Sequence, residues 1–269
     1  MKKDGWRSRR TAILVNALFI AAILAVGWKI ADHLIQARRS ADFARSLGRQ
    51  AGAAYLPGET AAPAEADDGR ESDSQTLPAD GSDAPESIDF DALWATSGDA
   101  VAWLYCPGTG LNDVVAQGRD NAYYLHRLLD GTPNTAGTLF IDCRNSRDFT
   151  DYNTIIYGHN MKNGSMFGRL DEYRNPEYCA AHPVMYLYLP GERLRLELVA
   201  ALGTVDGSEF YDVPDAPQAR DALLAKALEK STYNFGVDVS GNDRLVTLST
   251  CAYNFDDGRF IVVARIADS

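Results

Sequence analysis

The C-terminal two-thirds of the chain is a succession of short strand-like segments separated by turn signals, which restricts the possible fold more than any other feature. Apolar residues alternate with small polar ones, most clearly from Leu245 to Thr250. Segments of this kind are residues 100–106, 111–117, 138–142, 154–159, 184–189, 193–205, 245–250 and 259–266. Strand after strand with short turns predicts a closed or nearly closed β-barrel.

Three segments of the same region carry helical patterns. Residues 216–230 place Ala, Leu and Lys at helical spacing and are the clearest helix prediction. Residues 88–96 indicate a short amphipathic helix that opens the domain, and residues 164–173 are also predicted to be helical. Residues 121–129 form a short polar and aromatic segment. The predicted fold class is therefore mainly β with added helices, with about eight strands in the barrel.

A stretch without charged residues, from Thr11 to Trp28, precedes this region. A helix that crosses a bilayer needs roughly 20 apolar residues, so the stretch is just long enough. Five bases and one acid lie in residues 1–10, and the positive-inside rule then favours a cytoplasmic N-terminus, although Arg38 and Arg39 reduce the asymmetry. We predict a single-pass transmembrane anchor at residues 11–31. A cleaved signal peptide is the alternative, and both interpretations export the rest of the chain.

Two polar segments separate the apolar stretch from the folded domain. Residues 32–50 are polar and basic enough for a short juxtamembrane helix. Residues 51–87 are dominated by Ala, Pro, Gly, Ser, Asp and Glu, and eleven acids stand against one base between Gly58 and Asp91. Such a segment buries too little apolar surface to offset its ordering entropy, and its like charges extend it. We predict a disordered tether, with an acidic binding tail as the alternative, and a domain at residues 88–269.

The predicted domain is moderately acidic, which limits its partners. Residues 92–269 contain fifteen bases and twenty-three acids. The sequence shows no basic stripe and no nucleic-acid-binding motif, although both are typical of proteins that bind DNA or RNA. The composition therefore argues against a nucleic-acid partner.

Cys251 stands at the end of one predicted strand, and Arg259 begins the next. The residues between them include Asp256-Asp257-Gly258, which is a turn signal. If the two strands pair as a hairpin, a thiol and a guanidinium meet at one edge of the sheet. A positive charge there would stabilise a thiolate, or an oxyanion formed by its attack. Cys251 is therefore a candidate nucleophile.

A second strand supplies a candidate base. Residues 153–159 read as a buried strand that ends in Gly158-His159. Catalytic pairs meet in space rather than along the chain, so His159 can pair with the distant Cys251. The other histidines are His33 beside the predicted anchor, His126 as a packed or solvated residue, and His182 at the start of a strand.

The other cysteines, Cys106, Cys143 and Cys179, are predicted to be inert core residues. They form no Cys-x-x-Cys motif for a metal or redox site. Export would permit a disulfide between two of them, and the sequence leaves that open.

The segments around these residues resemble sortases, the cysteine transpeptidases of Gram-positive cell surfaces. Class B is the most similar, on Tyr157-Gly158-His159, on Gly164-Ser165-Met166-Phe167-Gly168-Arg169-Leu170, and on Thr247 to Cys251 followed by Arg259. The segments agree in order and spacing, and the resemblance covers about residues 88–266. It implies the sortase barrel with class B helices and no cofactor or metal.

The resemblance also implies a reaction, the transfer of an acyl group from a C-terminal sorting pentapeptide of surface proteins to an amine of the cell wall. Cys251 would form a thioester, Arg259 would stabilise the oxyanion, and His159 would carry protons. Residues implied to bind the peptide are Tyr157, Ser249, Thr250, Asn121 and Leu125. The domain would lie on the extracellular side of the membrane.

Ala252 departs from the class B pattern, because those sequences often carry an acidic residue directly after the cysteine. Either Asp256 or Asp257 would orient His159 or Arg259 instead, or no third group is needed.

Three other functions compete with this one. A papain-like wall peptidase places Cys before His, whereas here His159 precedes Cys251. A pilin-polymerising sortase, which joins subunits through lysine amines, often has an Asp-Pro-aromatic lid before the barrel; the sequence shows none, yet class B members can build pili. A tethered barrel that only binds a surface ligand would not need its thiol, so Cys251→Ala would leave the cellular phenotype unchanged.

Overall fold

The computed structural model of the protein describes residues 4–53, 84–205, 208–241, 243–251 and 258–267. The strands in these ranges are β1 (Ala100–Cys106), β2 (Leu111–Ala116), β3 (Leu139–Ile141), β4 (Asn153–Gly158), β5 (Val184–Leu189), β6 (Glu192–Val205), β7 (Leu245–Cys251) and β8 (Gly258–Ala267). The α-helices are α1 (Asp4–Gln50), α2 (Phe90–Thr96), α3 (Pro176–Ala181) and α4 (Pro217–Lys230). Three-residue-per-turn 3-10 helices cover Tyr123–His126, Leu170–Arg174 and Glu209–Tyr211.

The eight strands close into a barrel in the order β1-β2-β3-β4-β7-β8-β6-β5. Strand β2 runs parallel to β3, and β4 runs parallel to β7, while the other neighbours are antiparallel. The predicted fold class, a mainly β barrel of about eight strands with added helices, is confirmed. Closure by β1 and β5 pairs the backbone groups that an open sheet would leave at its edges.

Alternate residues of the strands point into the barrel and form its core. Leu104, Ile156, Leu248 and Val262 lie in this interior cluster and are fully buried. The outer face of β4, β6, β7 and β8 is also covered, because Leu223 and neighbouring residues of α4 pack on it. A sheet buried on both faces reads as a nearly continuous apolar run, as in β8.

A third cluster covers the outer face of β1 and β5. Trp103 and Tyr188 of these strands pack with Phe90 and Leu93 of α2, and with Leu47 from the end of α1. Trp103 also donates its indole N–H to Asn112 at 2.6 Å. The short helix α2 is therefore part of the domain, as its amphipathic pattern predicted.

The predicted helix at 164–173 is wrong over its first half. Gly164 and Met166 have left-handed backbone, with φ of 77° and 54°, which a helix does not allow. Gly168 sits so close to the chain that a Cβ would meet the Met161 carbonyl oxygen at 2.2 Å. The segment is a compact turn, and a 3-10 helix begins only at Leu170.

Helix α3 was not predicted, and it changes the interpretation of His182. Asn175 caps this helix by accepting the Glu177 N–H, and Pro176 occupies its first turn. His182 ends the helix rather than beginning a strand, and β5 starts at Val184. Six residues are too few for the periodicity of a helix to be visible in the sequence.

The three cysteines other than Cys251 have different environments. Cys106 and Cys179 are buried, as predicted. The prediction for Cys143 is wrong: β3 ends at Ile141, and Cys143 lies exposed beyond it. All three are free thiols, so none of them forms a disulfide.

Helix α1 contains the uncharged stretch of the sequence. Its residues Leu18–Gln50 include a window of mean hydropathy 1.8, so the helix is long and apolar enough to cross a membrane. The chain divides into two compact units, Met1–Asp42 and Phe43–Ser269, and the barrel belongs to the second. The acidic segment predicted as a tether falls largely outside the described residues.

Candidate active site

The register of three neighbouring strands brings His159, Cys251 and Arg259 to one end of the barrel. In the parallel pair β4 and β7, Gly158 lies opposite Thr250, so the next residues along the two strands are His159 and Cys251. In the antiparallel pair β7 and β8, Cys251 lies directly opposite Arg259. Residues opposite each other in a sheet have Cβ atoms about 5 Å apart. Cys251 and Arg259 are therefore neighbours across the β7–β8 pair, as the predicted hairpin requires, and His159 comes directly after the end of β4 on the other side of β7.

The two-residue period of the strands also assigns the three candidates to one face. Leu248 and Val262 point into the barrel. Ile261 belongs to the cluster that α4 forms on the outer face of the barrel, and Tyr157 packs against that cluster. Each of these residues lies two positions from a candidate. Cys251 is likewise two positions from Ser249, which contacts Tyr211 of the same α4 cluster. All three candidate positions thus fall on the outer face of the barrel.

His159 is half-buried and held by the backbone of another segment. Its Nε2 lies 2.7 Å from the Leu125 carbonyl oxygen. Because a carbonyl oxygen only accepts, Nε2 carries a proton, and Nδ1 is the nitrogen that can exchange one with a reacting group. Burial lowers the pKa of His159, the Leu125 carbonyl raises it, and the charge of a protonated His126 lowers it further.

His126 is a neighbour of His159 that the sequence interpretation missed. The two rings are nearly parallel, with centroids 5.6 Å apart and an interplanar angle of 25°. His126 ends the 3-10 helix Tyr123–His126 and is exposed. From the sequence, His126 was predicted only to be a packed or solvated residue, because no local pattern links it to the Gly158-His159 segment.

Arg259 is half-buried at the start of β8, and its Nη1 donates to the Gly258 carbonyl oxygen at 3.1 Å. The loop 252–257 that joins β7 to β8 lies outside the described residues. It contains Ala252, Asp256 and Asp257, so both alternatives from the sequence, an orienting aspartate or no third group, fall outside the described residues.

Asp142 is the centre of a polar network beside the candidates. Its side chain is completely buried, and it accepts hydrogen bonds from Tyr157 Oη and Asn121 Nδ2, each at 2.9 Å. Arg144 adds its backbone N–H, Nε and Nη2, also at 2.9 Å. Burial opposes ionisation of Asp142, but the hydrogen bonds, led by those of Arg144, lower its pKa to about 2. Asp142 is therefore a carboxylate at neutral pH.

The network places two of the predicted substrate-binding residues. Asn121 is fixed at both ends, because its Oδ1 accepts the Cys143 N–H at 2.8 Å while its amide nitrogen donates to Asp142. Burial raises the pKa of Tyr157, and the nearby Asp142 charge raises it further, so the phenol stays protonated. Both side chains are thus oriented by a fixed acceptor.

Tyr211 extends the network to Ser249. Its hydroxyl lies 2.8 Å from Ser249 Oγ, and its ring stacks on Tyr157 with centroids 6.1 Å apart. Arg144 Nη2 donates to the Tyr211 carbonyl oxygen at 2.8 Å. Tyr211 and Asp142 were not predicted, because each lies on a separate short segment without a motif.

The other two predicted substrate-binding residues are placed differently. Leu125 packs against the cluster of β1 and β5, and its carbonyl holds His159. Thr250 is buried, and its Oγ1 has no hydrogen-bond partner among the residues that the structure describes. Within those residues there is also no group of three His, Cys, Asp or Glu side chains arranged to hold a metal ion.

The curated proteins to which this chain is similar are sortase B enzymes. No family model matches the chain. It is 36% identical to sortase B of Listeria monocytogenes over 174 residues, which cover 62% of this chain and 70% of the relative. It is 31% identical to sortase B of Staphylococcus aureus over 180 residues, which cover 66% of this chain and 74% of that relative.

Solved structures agree with the sequence relatives. Clostridium perfringens sortase B matches with a TM-score of 0.64 and 29% identity, over 67% of this chain and all of that chain. A Staphylococcus aureus sortase B–substrate complex matches with a TM-score of 0.63 and 30% identity, over 66% of this chain and 84% of that one. A sortase B complexed with triglycine matches with the same score and identity, over 66% and 85%.

Proposed function

Because this chain belongs to the sortase B family and is a cysteine transpeptidase of the cell wall, we propose that it cleaves a C-terminal sorting pentapeptide of exported surface proteins and joins the new carboxyl end to an amine. The alignment of His159, Cys251 and Arg259 at one end of β4, β7 and β8 is the observation that carries this proposal. His159, Cys251 and Arg259 are the proposed catalytic residues.

In the first step, the Cys251 thiolate attacks the carbonyl carbon of the scissile peptide bond and forms a carbon–sulfur bond. The oxyanion that results is stabilised by Arg259, whose planar guanidinium suits charged hydrogen bonds. The carbon–nitrogen bond then breaks, and His159 as imidazolium gives a proton to the leaving amine. A thioester on Cys251 remains.

In the second step, an amine attacks the thioester carbon. His159 takes a proton from the entering nitrogen, the carbon–sulfur bond breaks, and the thiolate is restored. Nδ1 of His159 serves in both steps, since Nε2 is engaged by the Leu125 carbonyl. The complex of sortase B with triglycine supports a peptide amine as the acceptor.

The polar network beside Cys251 is proposed to bind the peptide. Asn121 retains one amide N–H beyond its bond to Asp142, and this donor suits a peptide carbonyl. Tyr157 and Ser249 shape the wall of the groove, while Thr250, buried on the opposite face of β7 from Cys251, supports this strand from inside the barrel. Leu125 would contact the apolar part of the peptide.

The apolar part of α1 is proposed to anchor the enzyme in the membrane. Length and hydropathy support one span, and the bases that precede it favour a cytoplasmic N-terminus. The barrel would then work outside the membrane, where surface proteins and wall amines meet.

The function is tested on the full-length chain with a panel of sorting pentapeptides, each offered with triglycine as the amine. Mass spectrometry should find one peptide cleaved and its acyl part joined to triglycine. Cys251→Ala should form no product, whereas Cys143→Ala, which removes an exposed thiol, should remain active. Cleavage by Cys251→Ala, or no cleavage of any peptide, contradicts the proposal. A preference for a lysine side-chain amine over triglycine would instead favour pilin polymerisation.

A further inference from the structure

His126 stacks on His159 but has no part in the reaction described so far. The rings come from different segments and lie 5.6 Å apart at 25°. An aromatic ring at this distance covers one face of its neighbour and restricts its rotation. His126 is exposed and His159 is half-buried, so the pair lies at the mouth of the candidate site.

The backbone that carries His126 is fixed on both sides. The His126 carbonyl accepts the Asn134 N–H at 2.9 Å. The preceding carbonyl, that of Leu125, accepts the His159 ring nitrogen. One short segment therefore holds the His159 imidazole twice, by a hydrogen bond at its edge and by a ring at its face.

Residues that can carry charge come to the site of His159 from several elements. The 3-10 helix brings His126, the end of β7 brings Cys251, the start of β8 brings Arg259, and β4 brings Tyr157. A positive charge on His126 or Arg259 opposes a second positive charge on His159, whereas a thiolate at Cys251 favours it. Substitution of His126 leaves the other groups in place, so its own effect can be measured.

We propose that His126 is a positioning residue, whose ring holds the His159 imidazole in place and, when protonated, opposes a second proton on His159. The role rests on the proposed function of His159 as proton carrier. An imidazolium that is harder to form is also a stronger acid, so it gives its proton to a leaving amine more readily. The lowered pKa of His159 has burial as its first cause and the charge of His126 as a further one.

Two substitutions separate the parts of this role. His126→Phe keeps a ring against His159 and removes the charge, while His126→Ala removes both. The full-length chain has four histidines, so selective carbon-13 labelling at histidine Cε1 gives four signals that can be titrated by NMR. His182 is the internal control, because its ring lies against Tyr178 and not against a second imidazole.

The titration midpoint of His159 should rise by about 0.5 pH units in both variants, as expected for one charge removed at this distance near the surface. The midpoint of His182 should not move. With the peptide identified by the panel, His126→Phe should keep most of its kcat and shift its pH profile upward, and His126→Ala should lose about tenfold in kcat.

An unchanged His159 midpoint in His126→Phe would overturn the role of His126. The titration needs no peptide, so the two proposals fail separately. A wild-type chain that cleaves no peptide contradicts the proposed function alone, while the midpoint still decides whether His126 acts on His159.

Discussion

The two sides of the candidate site are held by very different numbers of contacts. On one side, the buried Asp142 accepts five hydrogen bonds, from Asn121, Tyr157 and three groups of Arg144. On the other side, the half-buried His159 is held by one carbonyl, that of Leu125, and by the face of an exposed ring.

This difference matches the proposed tasks of the two sides. A groove that selects a peptide must present its donors in one geometry, and a buried carboxylate with several donors gives such rigidity. A proton carrier must change its charge twice in each cycle, and a group fixed by many charge-specific bonds would resist that change. We therefore expect substitutions at His159 to affect the reaction, and substitutions at Asp142 to affect stability.

The largest effect is expected from His159→Gln. The glutamine amide can still donate to the Leu125 carbonyl, but it cannot carry a proton, so kcat/KM should fall about 10³-fold with little change in thermal unfolding. Peptide cleavage and thermal unfolding are measured on the same samples. His182→Gln is the control, since His182 also contacts a carbonyl, that of Pro107. A His159→Gln enzyme with normal turnover would remove His159 from the reaction.

Asp142→Ala should have the next largest effect, on the free energy of unfolding. It leaves Asn121, Tyr157 and Arg144 without their common acceptor, at a cost of about 3 kcal/mol. Urea unfolding measures this loss. Asp148→Ala is the control, because the exposed Asp148 bonds to the nearby Thr150 on the same turn and should change stability little. Equal costs for the two substitutions would mean that the network does not hold the groove.

Arg259→Lys belongs to neither side and tests the proposed oxyanion site. An ammonium cannot replace a planar bidentate donor, so kcat should fall about 10- to 100-fold in a folded protein. Arg265→Lys is a matched control on the same strand, because Arg265 pairs with Glu197 and Asp243 rather than facing the site. Near-normal turnover of Arg259→Lys would exclude Arg259 from the mechanism.

The smallest expected effect is on the pH dependence of protein stability, to which His159 and Asp142 contribute over different pH ranges. The pKa of His159 is lowered in the folded protein, so the folded state binds fewer protons than the unfolded state. The stability that His159 contributes is therefore lost as pH falls below about 6.5. The pKa of Asp142 is about 2, so its contribution is complete above about pH 4 and is lost as pH falls toward 2.

Urea unfolding at a series of pH values separates these contributions. Compared with wild type, His159→Gln should flatten the curve below about pH 6.5, and Asp142→Asn only below about pH 4. Differences between variants are needed, because burial raises the pKa of Asp113 to about 6, with the opposite sign. A His159→Gln curve parallel to that of wild type would show that His159 keeps its ordinary pKa.

Much of the fold could be predicted because its signals are local. The alternation in β7 and the apolar run in β8 mark two strands, and the Asp-Asp-Gly turn between them predicts their pairing. The errors fall where a segment is short or irregular. The turn at Gly164 to Arg169 contains a helix-like composition but needs left-handed backbone, and Cys143 lies just past a strand of only three residues.

The amino-acid sequence alone predicted the barrel and the apolar segment of α1 and pointed to the three candidate residues, because strand periodicity, hydropathy and short motifs are properties of neighbouring positions. The contacts of Asp142 with Tyr157, of Tyr211 with Ser249 and of His126 with His159 are visible only in the folded protein. These contacts connect segments far apart in the chain. They exist because the closed barrel and its 3-10 helices bring those segments together, and no local pattern records that arrangement.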